Sequence, residues 1–123
     1  MSQDPALLGP DAAYAAYLAD GRLHLQRCEA CLRFAFPPRL LCPACDSREM
    51  LWHEVSGKAR LHAFTHVNRS PEKGGPYNVA LVDLAEGPRM MSRVDDCKDL
   101  RIDMPLRLKI RDGLPVFLPE VLA

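Results

Sequence analysis

The sequence predicts a mainly β protein: a short N-terminal helix, a small metal-stapled ribbon and a closed five-stranded barrel. Three observations carry that expectation. Two Cys-x-x-Cys pairs, Cys28/Cys31 and Cys42/Cys45, lie on one short segment with ten residues between them. A helix start and stop precede them. Beyond Glu54, apolar and polar residues alternate with a period of two, interrupted by turn residues.

The helix comes first, in an expected segment 1–20. Gly9, Pro10 and Asp11 form a start signal, with proline at the first helical position and a carboxylate against the N-terminal dipole. Tyr14, Tyr17 and Leu18 then fall at i, i+3 and i+4, and Gly21 supplies the stop. About ten residues make a marginal helix alone, so this face must pack on the chain itself or on a partner.

The ribbon is expected over 21–53. Leu23 and Leu25 alternate with Arg22, His24 and Gln26, the pattern of a half-buried strand leading into the first knuckle. Four thiolates from two knuckles can occupy the corners of a tetrahedron, which suits Zn²⁺; iron is the runner-up for a four-cysteine set. Such a site is closed, with no position left for water or substrate, so it reads as structural. The repeated spacing and the flanking prolines argue against two disulfides or four plain core cysteines. Between the knuckles, Phe34, Phe36, Pro37 and Pro38 make an apolar element. It either covers the ribbon's own strands or projects as a knob for a partner.

The barrel is expected over 54–123. Residues 59–67 alternate as a long first strand, with His62 and His66 read on one face. Residues 77–84, apolar on both faces, make a central strand, and 89–94 follow a turn at 85–88 as a third, with Arg89 and Arg93 on one face. The polar stretch 95–99 carries the crossover, 106–110 is the fourth strand, and Asp112-Gly113 signals a type I′ hairpin into the fifth at 116–118. A three-strand meander, a crossover and a closing hairpin match the OB barrel.

Composition bounds the function. The chain has 123 residues, 48% hydrophobic and 26% charged, with 16 Lys+Arg against 16 Asp+Glu. No apolar run approaches the roughly 20 residues that span a bilayer. The first residues lack the basic and apolar regions of a secretory signal, and paired Cys-x-x-Cys motifs fit a reducing compartment, so the expected location is cytoplasmic. From Glu54 onward, 11 Lys/Arg oppose 10 Asp/Glu, and Tyr77 is the one aromatic on the second and third strands. That is too little charge and stacking surface for phosphates and bases, which ranks a single-stranded nucleic-acid module as the alternative reading. His24, His53, His62, His66, Asp95 and Cys97 offer titratable groups, but no nucleophile elbow, HExxH or phosphate loop organises them, and no catalytic residue is assigned.

The ordered set Gly-Arg-Leu-x-Leu-Gln-Arg-Cys-x-x-Cys, Phe36-Pro37-Pro38-Arg39, Cys42-Pro43-x-Cys45, Trp52, Ser56-Gly57, Thr65, Pro76-Tyr77, Val82-Asp83-Leu84, Glu86-Gly87-Pro88-Arg89 and Phe117-x-Pro119 resembles one known family. It is the acyl-CoA-associated OB-fold family with an N-terminal rubredoxin-like zinc ribbon, long catalogued as domain of unknown function thirty-five. The resemblance covers about residues 12–120. It implies a non-catalytic accessory subunit in a hetero-oligomer with a thiolase-like enzyme, acting on acyl-CoA. On that reading Arg69, Lys73, Arg89 and Arg93 are candidate contacts for coenzyme A phosphates, and Phe34, Phe36, Pro37, Tyr14 and Tyr17 for the partner. The sequence departs from the family at Leu32 and Asp46, where knuckles often carry Gly, and at Asp103, where a Gly is usual.

Overall fold

A computed structural model describes residues 9–120. Residues 1–8 and 121–123, parts of the expected first and last segments, lie outside the described residues. Helix α1 (Pro10–Ala19) starts on its proline with Asp11 in the first turn. It ends as the sequence indicates: Gly21, at φ 79°, donates its N–H to Leu18 O (2.9 Å), and Arg22 donates to Tyr17 O (3.1 Å). This satisfies carbonyls that the last turn would otherwise orphan.

The ribbon is a three-stranded antiparallel sheet in the order β2-β1-β3, from β1 (His24–Cys28), β2 (Phe34–Ala35) and β3 (Met50–Glu54). The alternation in β1 predicted one wet face, and the structure corrects this. His24 and Gln26 are buried along with Leu25. Tyr17 of α1 stacks on His24 with ring centroids 3.7 Å apart and also meets Trp52 of β3, so the helix covers the face that the sequence left to water.

The barrel contains β4 (Lys58–Val67), β5 (Tyr77–Leu84), β6 (Arg89–Ser92), β7 (Pro105–Arg111) and β8 (Leu114–Pro119) in the order β6-β5-β4-β7-β8. It closes where Val94 bridges Phe117 in parallel. Phe117 N–H donates to Arg93 O (3.0 Å) and Asp95 N–H to Phe117 O (2.8 Å). The hairpin at Asp112 (φ 53°) and Gly113 (φ 76°) has the two left-handed residues of a type I′ turn.

Two expectations on the barrel fail for local reasons. The third strand stops at Ser92 rather than Val94, because the chain leaves β5 there to make the closing bridge. His62 and His66 do not share a face. The β4–β5 register slips between Leu61 and Ala63, and this bulge shifts the alternation by one residue. His62 therefore meets Arg89 on the outer surface, while His66 lies edge-on to Phe64, which packs against the core.

One buried cluster serves both sheets. Leu18 of α1 and Leu23 and Leu25 of the ribbon join Ala59, Leu61, Val82, Leu106 and a fully buried Phe117 from the barrel. The connection at 55–57 is hydrogen-bonded at each residue. Val55 N–H reaches Leu23 O (3.1 Å), Ser56 N–H reaches Glu86 Oε2 (2.9 Å), and Gly57 O accepts from Leu108 N–H (2.7 Å).

Candidate metal centre and its surroundings

The two knuckles are copies of one turn. Cys28 N–H donates to Arg33 O and Cys42 N–H to Ser47 O, both at 2.9 Å; Leu32 N–H returns to Cys28 O (2.7 Å) and Asp46 N–H to Cys42 O (2.8 Å). In each copy the residue after the second cysteine takes a left-handed backbone, Leu32 at φ 66° and Asp46 at φ 62°. This is the conformation for which glycine is the usual choice. It turns N–H groups toward the sulfurs: Cys31 N lies 3.5 Å from Cys28 Sγ and Ala44 N 3.4 Å from Cys42 Sγ.

All four sulfurs lie within 4.8 Å of one another, and none is in a disulfide. Cys28 Sγ and Cys45 Sγ are 3.5 Å apart, and Cys31 Sγ and Cys42 Sγ 3.6 Å. The N–H of Cys31, foremost, pulls the Cys28 thiol down to about 6. At Cys45 the Ser47 N–H lowers the thiol, but its sulfur neighbours and desolvation outweigh this and push it up to about 12. Four sulfurs this close do not all ionise by themselves, and a divalent cation removes that conflict by making all four thiolates favourable. Four soft donors at this spacing fit a structural Zn²⁺ held by Cys28, Cys31, Cys42 and Cys45, with the coordination shell filled by protein.

Gln26 supports the run between the knuckles. Its side chain, 4% exposed, accepts from Arg39 N–H (2.6 Å) and donates to Arg39 O (2.7 Å), fixing the end of the Phe36–Arg39 turn to β1. Sequence reasoning missed this tie. Its one signal was an uncharged polar residue between Leu25 and the first cysteine.

The aromatic residues expected at a partner surface are largely spent inside the chain. Phe36 meets Tyr14 (5.8 Å between centroids), Phe34 meets His53 edge-on (6.1 Å), and Tyr17 is stacked on His24. Phe34, Phe36 and Tyr14 pack against the buried cluster, whereas Pro37 is exposed. Large apolar side chains that do stand in solvent on the ribbon are Leu32, Leu40, Leu41 and Leu51.

The four cations proposed for phosphate contact separate into two pairs. Arg89 grips Asp83 with Nε at 2.6 Å from Oδ1, holding that carboxyl below its ordinary range, and Arg93 Nε lies 2.9 Å from Asp95 Oδ1. Arg69 and Lys73 remain on the loop after β4, where Arg69 sits 4.6 Å above the Tyr77 ring and donates to Gly75 O. Tyr77, Met91, Arg93 and Leu114 line a cavity of about 370 Å³ beside it. Cys97 is half-buried against the core, away from the four-cysteine cluster.

Known proteins bear on this arrangement. The family model for the rubredoxin-like zinc ribbon domain of ChsH2 matches residues 15–50, and that for the ChsH2 C-terminal OB-fold domain matches 52–111. A DUF35 domain-containing scaffold protein of Methanocaldococcus jannaschii is 35% identical over 91 residues, covering 69% of this chain and 64% of its own length. A probable enoyl-CoA hydratase alpha subunit of Thermomonospora curvata is 32% identical over 126 residues; the chain spans 95% of itself in that match but 40% of the relative. Against the solved structure of an Ltp2-ChsH2(DUF35) aldolase, the fold superposes with a TM-score of 0.80 at 31% identity, over 96% of this chain and 100% of the other. With its two domain models in tandem across the four-cysteine ribbon and the barrel, the chain belongs to the DUF35 family of ChsH2-type zinc-ribbon and OB-fold proteins.

Proposed function

We propose that this chain is a non-catalytic accessory subunit that binds a thiolase-superfamily enzyme and shapes the entrance for its acyl-CoA substrate. The observation that carries the reading is the full-length superposition on a ChsH2 chain whose structure is that of an aldolase with Ltp2. Relatives named as scaffold proteins support it. So does the chemistry of the metal centre. A zinc ion enclosed by four thiolates has no open position at which to polarise a substrate, so its role is to fold the ribbon.

Contact with the coenzyme is the finer part of the proposal. Arg69 and Lys73 are the cations we assign to its phosphates, because Arg89 and Arg93 would first have to leave Asp83 and Asp95. The test is co-expression with the thiolase-superfamily enzymes of the source organism. A stoichiometric complex with acyl-CoA turnover that neither component shows alone supports the proposal. Robust thiolase, aldolase or hydrolase activity in the pure chain, or no complex with any of them, overturns it.

A further inference from the structure

Leu32 places an apolar side chain on the left-handed backbone that the first knuckle requires. Among the described residues, five non-glycine positions have positive φ, and four of them are aspartates: Asp46, Asp96, Asp103 and Asp112. Aspartate tolerates the left-handed region, whereas leucine crowds its own Cβ against the following carbonyl. The equivalent position of the second knuckle, Asp46, shows the residue that the turn accepts cheaply. Leu32 is also 62% exposed, so it is not held there by burial. An unfavourable conformation that presents an apolar side chain to water points to a function outside the fold.

Its neighbours complete a surface. Leu32 directly follows Cys31 and Leu41 directly precedes Cys42, and the sulfurs of those two cysteines are 3.6 Å apart. Leu40 is 75% exposed and Leu41 41%. Leu32 and Leu41 are thus each next in the chain to a cysteine of the four-sulfur cluster, with Leu40 one residue further. Their base is rigid, since Gln26 clamps both backbone groups of Arg39, the residue just before Leu40. Pre-organised apolar side chains lose little freedom when they dock. Arg33 and Arg39, next to Leu32 and Leu40 in the chain, and Arg48, just beyond the second knuckle, make no ion pair among the described residues, whereas Arg22 and Arg27 are paired with Asp20 and Glu29.

We infer that Leu32, Leu40 and Leu41, collared by Arg33, Arg39 and Arg48, dock into an apolar depression with a carboxylate rim on the partner enzyme. This rests on the accessory-subunit reading and relocates its interface from the phenylalanines to the leucines at the metal edge. A second copy of this chain is the wrong occupant, because a two-fold contact would set the arginine collars against each other.

The experiment uses the zinc-loaded full chain and the thiolase-superfamily enzyme that co-purifies with it, with affinity measured by calorimetry at low and high salt. Leu32→Asn, which suits the left-handed turn, should keep its zinc and melt at or above the wild-type temperature while binding about tenfold more weakly. Leu40→Asp should abolish binding. Arg39→Glu should weaken it more at low salt than at high salt. Wild-type affinity in Leu32→Asn and Leu40→Asp overturns the inference and leaves the accessory role standing. A clearly lower melting temperature for Leu32→Asn also overturns it, since Leu32 would then serve the chain's own fold. Sedimentation that shifts from dimer to monomer in Leu40→Asp would give the surface to a second copy. Failure of the wild-type chain to bind any such enzyme removes the accessory role itself, and this surface with it.

Discussion

Replacing Gln26 by leucine tests how the ribbon is held together. The side chain is buried at the centre of β1 and makes two short hydrogen bonds to the backbone of Arg39, at 2.6 and 2.7 Å. Leucine has a similar volume but no polar atoms, so the packing survives and the Arg39 N–H and C=O lose their partners. A net hydrogen bond contributes about 0.5–1.5 kcal/mol, and a buried group left unpaired costs about 1–3 kcal/mol. Arg39 lies at the surface and regains some water, so the lower range applies and the pair is worth about 2 kcal/mol. For a chain of this size that is a fall in Tm of roughly 6–12 °C. Denaturant unfolding in excess zinc gives the free energy, and transfer of zinc to a chromophoric chelator gives the effect on the metal loop. Release should accelerate about tenfold, because the run that positions Cys42 is no longer fixed to β1. A Gln26→Leu protein within about 0.5 kcal/mol of wild type would refute the assignment.

The purified protein should contain one zinc per chain, and Cys42→Ser, which removes a buried ligand, should lose it together with the ribbon's slow amide exchange; an intact, metal-free fold by elemental analysis and NMR would contradict the site. His24 should confer acid sensitivity. Burial, foremost, and the Arg22 charge lower its pKa, so below the ordinary value of 6.5 the unfolded chain takes up a proton that the folded chain resists. Stability should therefore fall as the pH drops from 6.5 toward the lower folded value, and His24→Phe should flatten that limb in urea titrations; parallel limbs would sink the argument. Phe36→Ala should lower the Tm rather than only weaken binding, with a loss of stability of about 1–3 kcal/mol for a half-buried ring in contact with Tyr14, as read by calorimetry.

Legibility in the sequence followed locality. The central strand β5 has the ends that the pattern predicted, Tyr77 and Leu84, because Gly74, Gly75 and Pro76 before it and Gly87 and Pro88 after it punctuate an apolar run. The four cysteines and the Asp112-Gly113 hairpin are equally local signals. What the sequence did not reveal depends on partners distant along the chain. The polar face of β1 became buried because α1 lies across it, and the His62/His66 pair was split by a bulge that alternation cannot register. Arg89 and Arg93 looked like a free cationic stripe until the register of β5 against β6 set Asp83 opposite Arg89, and the barrel closure brought Asp95 to Arg93. Leu32 was the converse case. Its departure from glycine was visible at once, but its meaning required knowing that the turn had kept the left-handed conformation and left the side chain in water.

The family motif at 86–89, which has no evident chemistry of its own, gains a physical role from the same non-local contacts. Arg89 fixes Asp83 across the β5–β6 hairpin, and Glu86 from the turn of that hairpin accepts the Ser56 N–H at 2.9 Å. Ser56 and Gly57 are the residues at which the chain passes from ribbon to barrel, and Gly57 needs its freedom there, with φ at 86° and Leu108 Cβ 3.4 Å from where its own Cβ would stand. The motif therefore bolts the barrel's hairpin to the exit of the ribbon. Leu23 and Leu25 on the ribbon side already share the barrel's buried cluster. A hinge that is hydrogen-bonded at every residue and backed by a common core does not swivel cheaply. The edge of the four-cysteine cluster is consequently held at a fixed angle to the Arg69 and Tyr77 loop. In the proposed accessory role, that rigidity would let contact at a protein surface and contact at a substrate entrance each raise the effective concentration of the other.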